Sequence, residues 1–170
     1  MDLQPTLTGD LVVLRPTVPE DWDAMYAVAS DPLIWEQHPA NDRWQEDEFR
    51  KYFADALASG GGLTILDKAT GAIIGASRYY GYAPERDEIE IGWTFLARSY
   101  WGGAYNREVK RLMVDHIHLY VGCAIFLVGE GNLRSQGAMA KIGGVRRTEM
   151  LSREYNSGVH PQVVFEIRRS

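Results

Sequence analysis

The chain has 170 residues, a formal net charge of −5 and 45% hydrophobic residues. That length suits one domain around one core, and the acidic balance argues against generic nucleic-acid binding, which calls for a basic surface. A lone cysteine, Cys123, excludes an internal disulfide, no apolar run is long enough to span a bilayer, and the opening MDLQPTLTGD lacks the basic and apolar regions of a signal peptide, so a cytoplasmic location is expected.

The first element is a strand over 11–15, broken by Pro16 and Pro19. A helix opens on Pro19-Glu20-Asp21, carries Trp22, Met25, Tyr26 and Ala29 at helical spacing, and stops at Asp31-Pro32. Residues 33–43 show no period and form a loop. A second helix over 45–58 places Phe49, Tyr52, Phe53, Ala56 and Leu57 on one face. The run Gly60-Gly61-Gly62 lacks the Lys-Ser/Thr of a phosphate loop and is a flexible link. Strands over 63–66, 72–82 and 88–96, separated by turn residues, make an antiparallel meander.

A third helix runs from Gly103 to about residue 120. Tyr105, Val109, Leu112, Met113, His116 and Tyr120 mark its buried stripe, and Arg107, Lys110, Arg111 and Asp115 its wet side. The apolar run over 123–128, Cys123 included, suits a strand covered on both faces. Asn132 caps a helix over 133–142, which ends in Gly143-Gly144. Strands over 145–151 and 162–167 close a mixed α+β fold.

The turn Trp101-Gly102-Gly103-Ala104-Tyr105-Asn106 joins a strand to a helix through small residues. A helix start offers unpaired N–H groups and the positive end of the dipole, and glycine lets an anion approach closely, so a pyrophosphate fits there. A tight turn with no ligand satisfies the same pattern. No G-x-G-x-x-G occurs, which argues against a dinucleotide site. The right-handed crossover places strand 123–128 parallel to strand 88–96. If the two splay, the backbone of Thr94, Phe95 and Leu96 can bond an amide-containing chain, and Asn132 can face the same gap.

These features resemble the GNAT superfamily of acetyl-CoA-dependent N-acetyltransferases, and within it the RimJ/RimL-like branch that acetylates protein N-termini. The resemblance rests on EIGWTFLARSYWGGAYNRE, Asn132-Leu133-Arg134-Ser135 and the following Ala138-Met139-Ala140-Lys141-Ile142-Gly143-Gly144. It implies one domain over 1–170, with a mixed seven-stranded twisted sheet flanked by about four helices and splayed between the fourth and fifth strands. It implies acetyl-CoA as cosubstrate, with the pyrophosphate at Trp101, Gly102, Gly103, Ala104, Tyr105 and Asn106. Trp101 stands where Gln or Arg is usual, and Ala104 at a common glycine. Thr94, Phe95 and Leu96 match the residues that hold the pantetheine arm, and Asn132 and Ser135 match polar residues near it. Ser135 is the implied acid, Glu154 and Glu90 are alternative bases, and a backbone N–H near Phe95 or Leu96 holds the oxyanion.

The implied acceptor is a primary amine, first a protein or peptide N-terminus. A small-molecule amine (aminoglycoside, polyamine or amino acid) is the alternative, as is a non-catalytic acyl-CoA-binding module. Trp35, His38, Trp44, Tyr79 and Tyr80 are candidates for the acceptor pocket, and Asp31, Glu36 and Asp42 would suit a cationic acceptor. The histidines His38, His116, His118 and His160 show no metal-ligand spacing, so no metal is expected. Membrane and nucleic-acid partners are not expected, and the C-terminal strand edge leaves a homodimer open.

Overall fold

The computed structural model describes residues 1–170. β1 (Leu7–Thr8) and β2 (Val12–Pro16) precede α1 (Trp22–Ala29) and α2 (Glu46–Ser59). The meander β3 (Gly62–Asp67), β4 (Ile73–Ala83) and β5 (Glu88–Leu96) follows, then α3 (Ala104–Ile117), β6 (Cys123–Gly129), α4 (Leu133–Lys141) and the hairpin of β7 (Val145–Tyr155) and β8 (Gly158–Arg168). They form one sheet in the order β1-β2-β3-β4-β5-β6-β8-β7. Every neighbouring pair is antiparallel except β5 with β6. The sequence leads to seven strands, and the eighth is β1. Its two residues pair with Val13 and Leu14 and are too few to display an alternation. No helix is long and apolar enough to cross a membrane.

The sheet has a core on each face. α3 and α4 bury Val109, Met113, Ile117 and Met139 against Val12, Leu14, Ile89, Ile91 and Phe126. On the other face Met25, Phe49, Tyr52 and Phe53 of α1 and α2 pack on Ala76 and Phe95. Tyr120, expected on the buried stripe of the third helix, is instead 43% exposed, because α3 ends at Ile117.

One irregularity positions the site. Gly92 pairs with Arg78 and Phe95 with Ala76, so β5 spends one residue more than β4 over this step. That is a β-bulge, and Trp93 within it adopts φ 54°. A left-handed tryptophan costs about 1–2 kcal/mol, offset here by the Tyr52 hydroxyl, which donates to the Trp93 carbonyl. The bulge also exchanges the faces of the strand. Ile89 and Ile91 point toward α3, but beyond the bulge Leu96 does so, while Phe95 turns to α2.

α3 is tied to β2 by Glu108. Its carboxylate accepts the backbone N–H groups of Asp10, Leu11 and Val12 at 2.8, 2.7 and 2.8 Å. Burial pushes this carboxyl up, but the three N–H bonds outweigh it and hold it below the ordinary glutamate value. A depressed carboxylate stabilises the fold above its unfolded pKa, and that stabilisation disappears as pH falls through the folded one. Glu108→Ala is expected to cost about 3 kcal/mol at pH 7, through three orphaned donors. The loss should shrink toward pH 3 in denaturant titrations of both proteins. An equal loss at both pH values would contradict this role.

Candidate active site

β5 and β6 pair only at Glu88–Cys123, Ile89–Ala124 and Glu90–Ile125, and then diverge. Beyond that point β5 follows its bulge along β4, while β6 stays zipped to β8 from Cys123 to Gly129. The divergence opens a cavity of about 580 Å³, lined on one side by Ile91 to Leu96 and on the other by Phe126 to Gly129. Thr94, Phe95, Leu96, Trp101, Gly102, Gly103, Asn106, Asn132 and Ser135 all line it, so sequence-distant candidates meet at one place.

At the mouth, the Trp101 turn feeds α3. Gly102 and Gly103 sit at φ 119° and 111°, where a side chain would be strained. The first intrahelical bond runs from Arg107 N–H to the Gly103 carbonyl, and no side chain caps the helix. The N–H groups of Ala104, Tyr105 and Asn106 therefore lack helical partners. Trp101 has a specific job: its indole Nε1–H donates to the Leu96 carbonyl at 2.9 Å, tying the turn to the end of β5. The same ring carries the Arg134 guanidinium, 3.7 Å from its centroid. At the head of α4, Asn132 is buried, and its Oδ1 caps Ser135 N–H at 3.4 Å, which leaves its Nδ2 donors for the cavity.

Lys110 corrects the expectation that it lies on the wet side of its helix. It is only 7% exposed and enters the wedge. Its Nζ donates to Thr94 Oγ1 on β5 at 2.7 Å and lies 5.5 Å from the centroid of Phe126 on β6, so it bridges the gap. Thr94 faces α3 because of the bulge, and its hydroxyl also meets Ser77 Oγ at 2.8 Å. No carboxylate pairs with Lys110, and desolvation pushes its ammonium down to about 7. A buried amine with so lowered a pKa, placed in a cleft, makes Lys110 a candidate functional group.

The opposite face of the wedge holds aromatic rings and arginines. Arg78 and Arg153 lie 4.6 and 4.8 Å from the Trp93 ring centroid. Arg153 makes a bidentate bond to Glu90, whose carboxyl burial pushes up while Arg153 and Arg78 pull it down, leaving it above the ordinary value. His38 accepts the Ala40 N–H at Nδ1, 2.9 Å away, so the neutral ring carries its proton on Nε2. Desolvation and the neighbouring Arg43, Arg134 and Arg153 pull it down to about 3, which keeps it neutral and a donor.

The remaining candidates lie elsewhere. Glu154 is exposed on the face of β7 opposite Arg153 and Tyr155, which line the cavity. Trp35 is buried core against Phe95, and Trp44 and Tyr80 are 38% and 51% exposed. Tyr79 belongs to the α3 side, where its hydroxyl donates to the Met113 carbonyl. Asp31 pairs with Arg98 and Asp42 accepts from Asn156, while Glu36 is exposed, so none of these acids lines the cavity.

Residues 12–145 match the family described as the acetyltransferase (GNAT) domain. The chain belongs to the GNAT acetyltransferases. Solved structures agree in fold. A GCN5-related N-acetyltransferase from Brucella melitensis superposes with a TM-score of 0.84 at 16% identity, covering 97% of this chain and 79% of that one. The microcin C7 self-immunity acetyltransferase MccE, in complex with acetyl-CoA and AMP, gives 0.79 at 11% identity over 99% of both chains. A Vibrio cholerae protein provisionally described as a ribosomal-protein-serine acetyltransferase gives 0.73 at 13% identity, over 99% of this chain and 100% of that one. Among curated proteins none matches.

This GNAT enzyme is thus an acetyl-CoA-dependent acyltransferase acting on an amine. Its cavity fits the cosubstrate on its own features. Free N–H groups and left-handed glycines at the mouth suit an anion, and Arg107, Arg134 and Lys141 line the wall. Sequence reasoning missed Lys110 and the arginines. For Lys110 the available signal was its place between Val109 and Met113, both wholly buried.

Proposed function

We propose that the chain transfers the acetyl group of acetyl-CoA directly to a primary amine, with a peptide or protein amino terminus as the first acceptor and a small-molecule amine as the second. The observation that carries this reading is the wedge between β5 and β6, with amide hydrogens at its mouth and a desolvated lysine across it. The RimJ/RimL-like resemblance and the Vibrio cholerae neighbour support a peptide acceptor. MccE, seen with AMP, supports a small one. Six cationic side chains and no carboxylate line the cavity, which disfavours aminoglycosides and polyamines.

In this reaction the neutral amine attacks the thioester carbon, and a tetrahedral intermediate forms and collapses. The C–S bond breaks, one proton leaves the amine, and one reaches the thiolate. A backbone N–H near Phe95 or Leu96 holds the oxyanion in the proposed scheme. Two groups in the wedge can supply the thiolate proton, Ser135 and Lys110. Lys110 is the stronger acid and is matched to neutral pH. Of the two candidate bases, Glu90 lies beside Gly92, a wall of the cavity, and a water can link it to the amine.

Glu90→Gln is expected to lower kcat/KM about 100-fold and to remove the rise of rate with pH, a rise that lies above the ordinary carboxylate range because burial raises Glu90. Glu154→Gln should change kcat/KM less than twofold. Profiles of both variants on a serine-initiated peptide decide the matter, and the reverse result transfers the role to Glu154.

A further inference from the structure

On the acceptor side of the wedge two guanidiniums, those of half-buried Arg43 and buried Arg78, have no carboxylate partner, while Arg153 has Glu90. Arg43 lies between the rings of Trp35 and Tyr52, 5.6 and 5.2 Å from their centroids. Arg43 forms no ion pair, and Asp42 next to it accepts from Asn156. Arg78 is 4% exposed, bonds the Tyr52 carbonyl through Nη2, and leaves its Nε with no partner. The single carboxylate here, Glu90, is engaged by Arg153.

Buried charge is normally paired, and an unpaired guanidinium costs several kcal/mol unless something compensates it. Stacking on tryptophan and tyrosine returns part of that cost and fixes the direction of the planar fork. His38, held neutral with its proton on Nε2, adds one more donor aimed from the same loop. His38, Arg43 and Arg153 line this end of the cavity with one carboxylate, Glu90, among them and Arg78 behind, which suits a carboxylate or a phosphate.

We propose that the acceptor carries an anionic group close to the amine that is acetylated, and that Arg43 and Arg153, with the Nε2–H of His38, receive it. This rests on the acetyl-transfer reading and narrows it. A free amino acid or aminoalkyl phosphate can supply the anion, as can an acidic side chain near a peptide amino terminus.

Matched pairs test it. L-serine against L-serinamide, phosphoethanolamine against ethanolamine, and Ser-Asp-Gly-amide against Ser-Lys-Gly-amide are compared as acceptors in acetyl transfer. The same compounds are titrated calorimetrically into protein saturated with CoA, which needs no turnover. The anionic member of at least one pair is expected to win by about 100-fold in kcat/KM and in Kd. Arg43→Met should erase that preference while lowering kcat/KM for the neutral partner less than threefold, and Arg43→Lys should restore part of it. Cooperative unfolding of both variants at or above the parent's temperature confirms that they fold. Equal use of both members in every pair overturns the inference and leaves acetyl transfer standing, as does turnover of neutral amines alone. An equal loss on all acceptors in Arg43→Met overturns it too. No heat and no turnover with any compound overturns both readings.

Discussion

Lys110→Met is expected to make the protein more stable and a worse enzyme. Burial without a counter-ion pushes this lysine down to about 7, against about 10.4 for an exposed one. The unfolded chain therefore binds more protons between those values, so stability must rise with pH across that window and carry the full penalty below it. At pH 7 the penalty amounts to about 4 kcal/mol, less about 1 kcal/mol for the bond to Thr94 that methionine gives up. The net gain of about 3 kcal/mol corresponds to an unfolding temperature roughly 6–12 °C higher at pH 7. The gain should shrink as pH rises and turn into a small deficit by about pH 10.5, where only the lost bond to Thr94 remains. Over the same substitution kcat should fall about 100-fold, because the wedge loses its neutral-pH proton donor. Stability bought at the expense of rate is the usual mark of a functional group held in an unfavourable place. A variant that is destabilised at pH 7, or one with full activity, would remove Lys110 from the mechanism.

The second large effect concerns the mouth of the wedge. Gly103→Val puts a β-branched side chain at φ 111°, directly before the free N–H groups of α3. An L-residue there must leave that conformation or hold the strain, and either choice turns the N–H groups away from a bound anion. CoA affinity is expected to weaken at least about 100-fold, which is close to 3 kcal/mol. Dephospho-CoA should lose as much, since it keeps the pyrophosphate, and pantetheine should lose little. Titrations of the three compounds against both proteins check this. An equal loss for pantetheine would place the damage in the strand instead of the turn.

Much of this architecture was legible in the chain because its signals are local. The apolar run of β6 announced a strand covered on both faces. The small residues of the Trp101 turn marked a helix start, and Asn132 does cap its helix. The crossover through α3 required β6 to run parallel to β5, as it does. What escaped depends on partners. The bulge at Trp93 exists only in the register of β5 against β4, so alternation along β5 alone reads straight through it. Lys110 was assigned to water because polarity marks a wet helix face. Only the bulge, by turning Thr94 toward α3, gives its ammonium a place inside. Arg43, Arg78 and Arg153 come from a loop, a meander strand and a hairpin, and the overall charge of −5 conceals their meeting. The two-residue β1 is too short to have any pattern.

Isothermal titration with CoA puts the whole account to its hardest test. A saturable, exothermic 1:1 isotherm with a dissociation constant in the micromolar range is predicted, weakened by Gly103→Val and left intact by Glu154→Gln. No heat at millimolar CoA from folded protein would mean that the gap between β5 and β6 is not a cosubstrate site, and the acetyl-transfer chemistry built on it would fall.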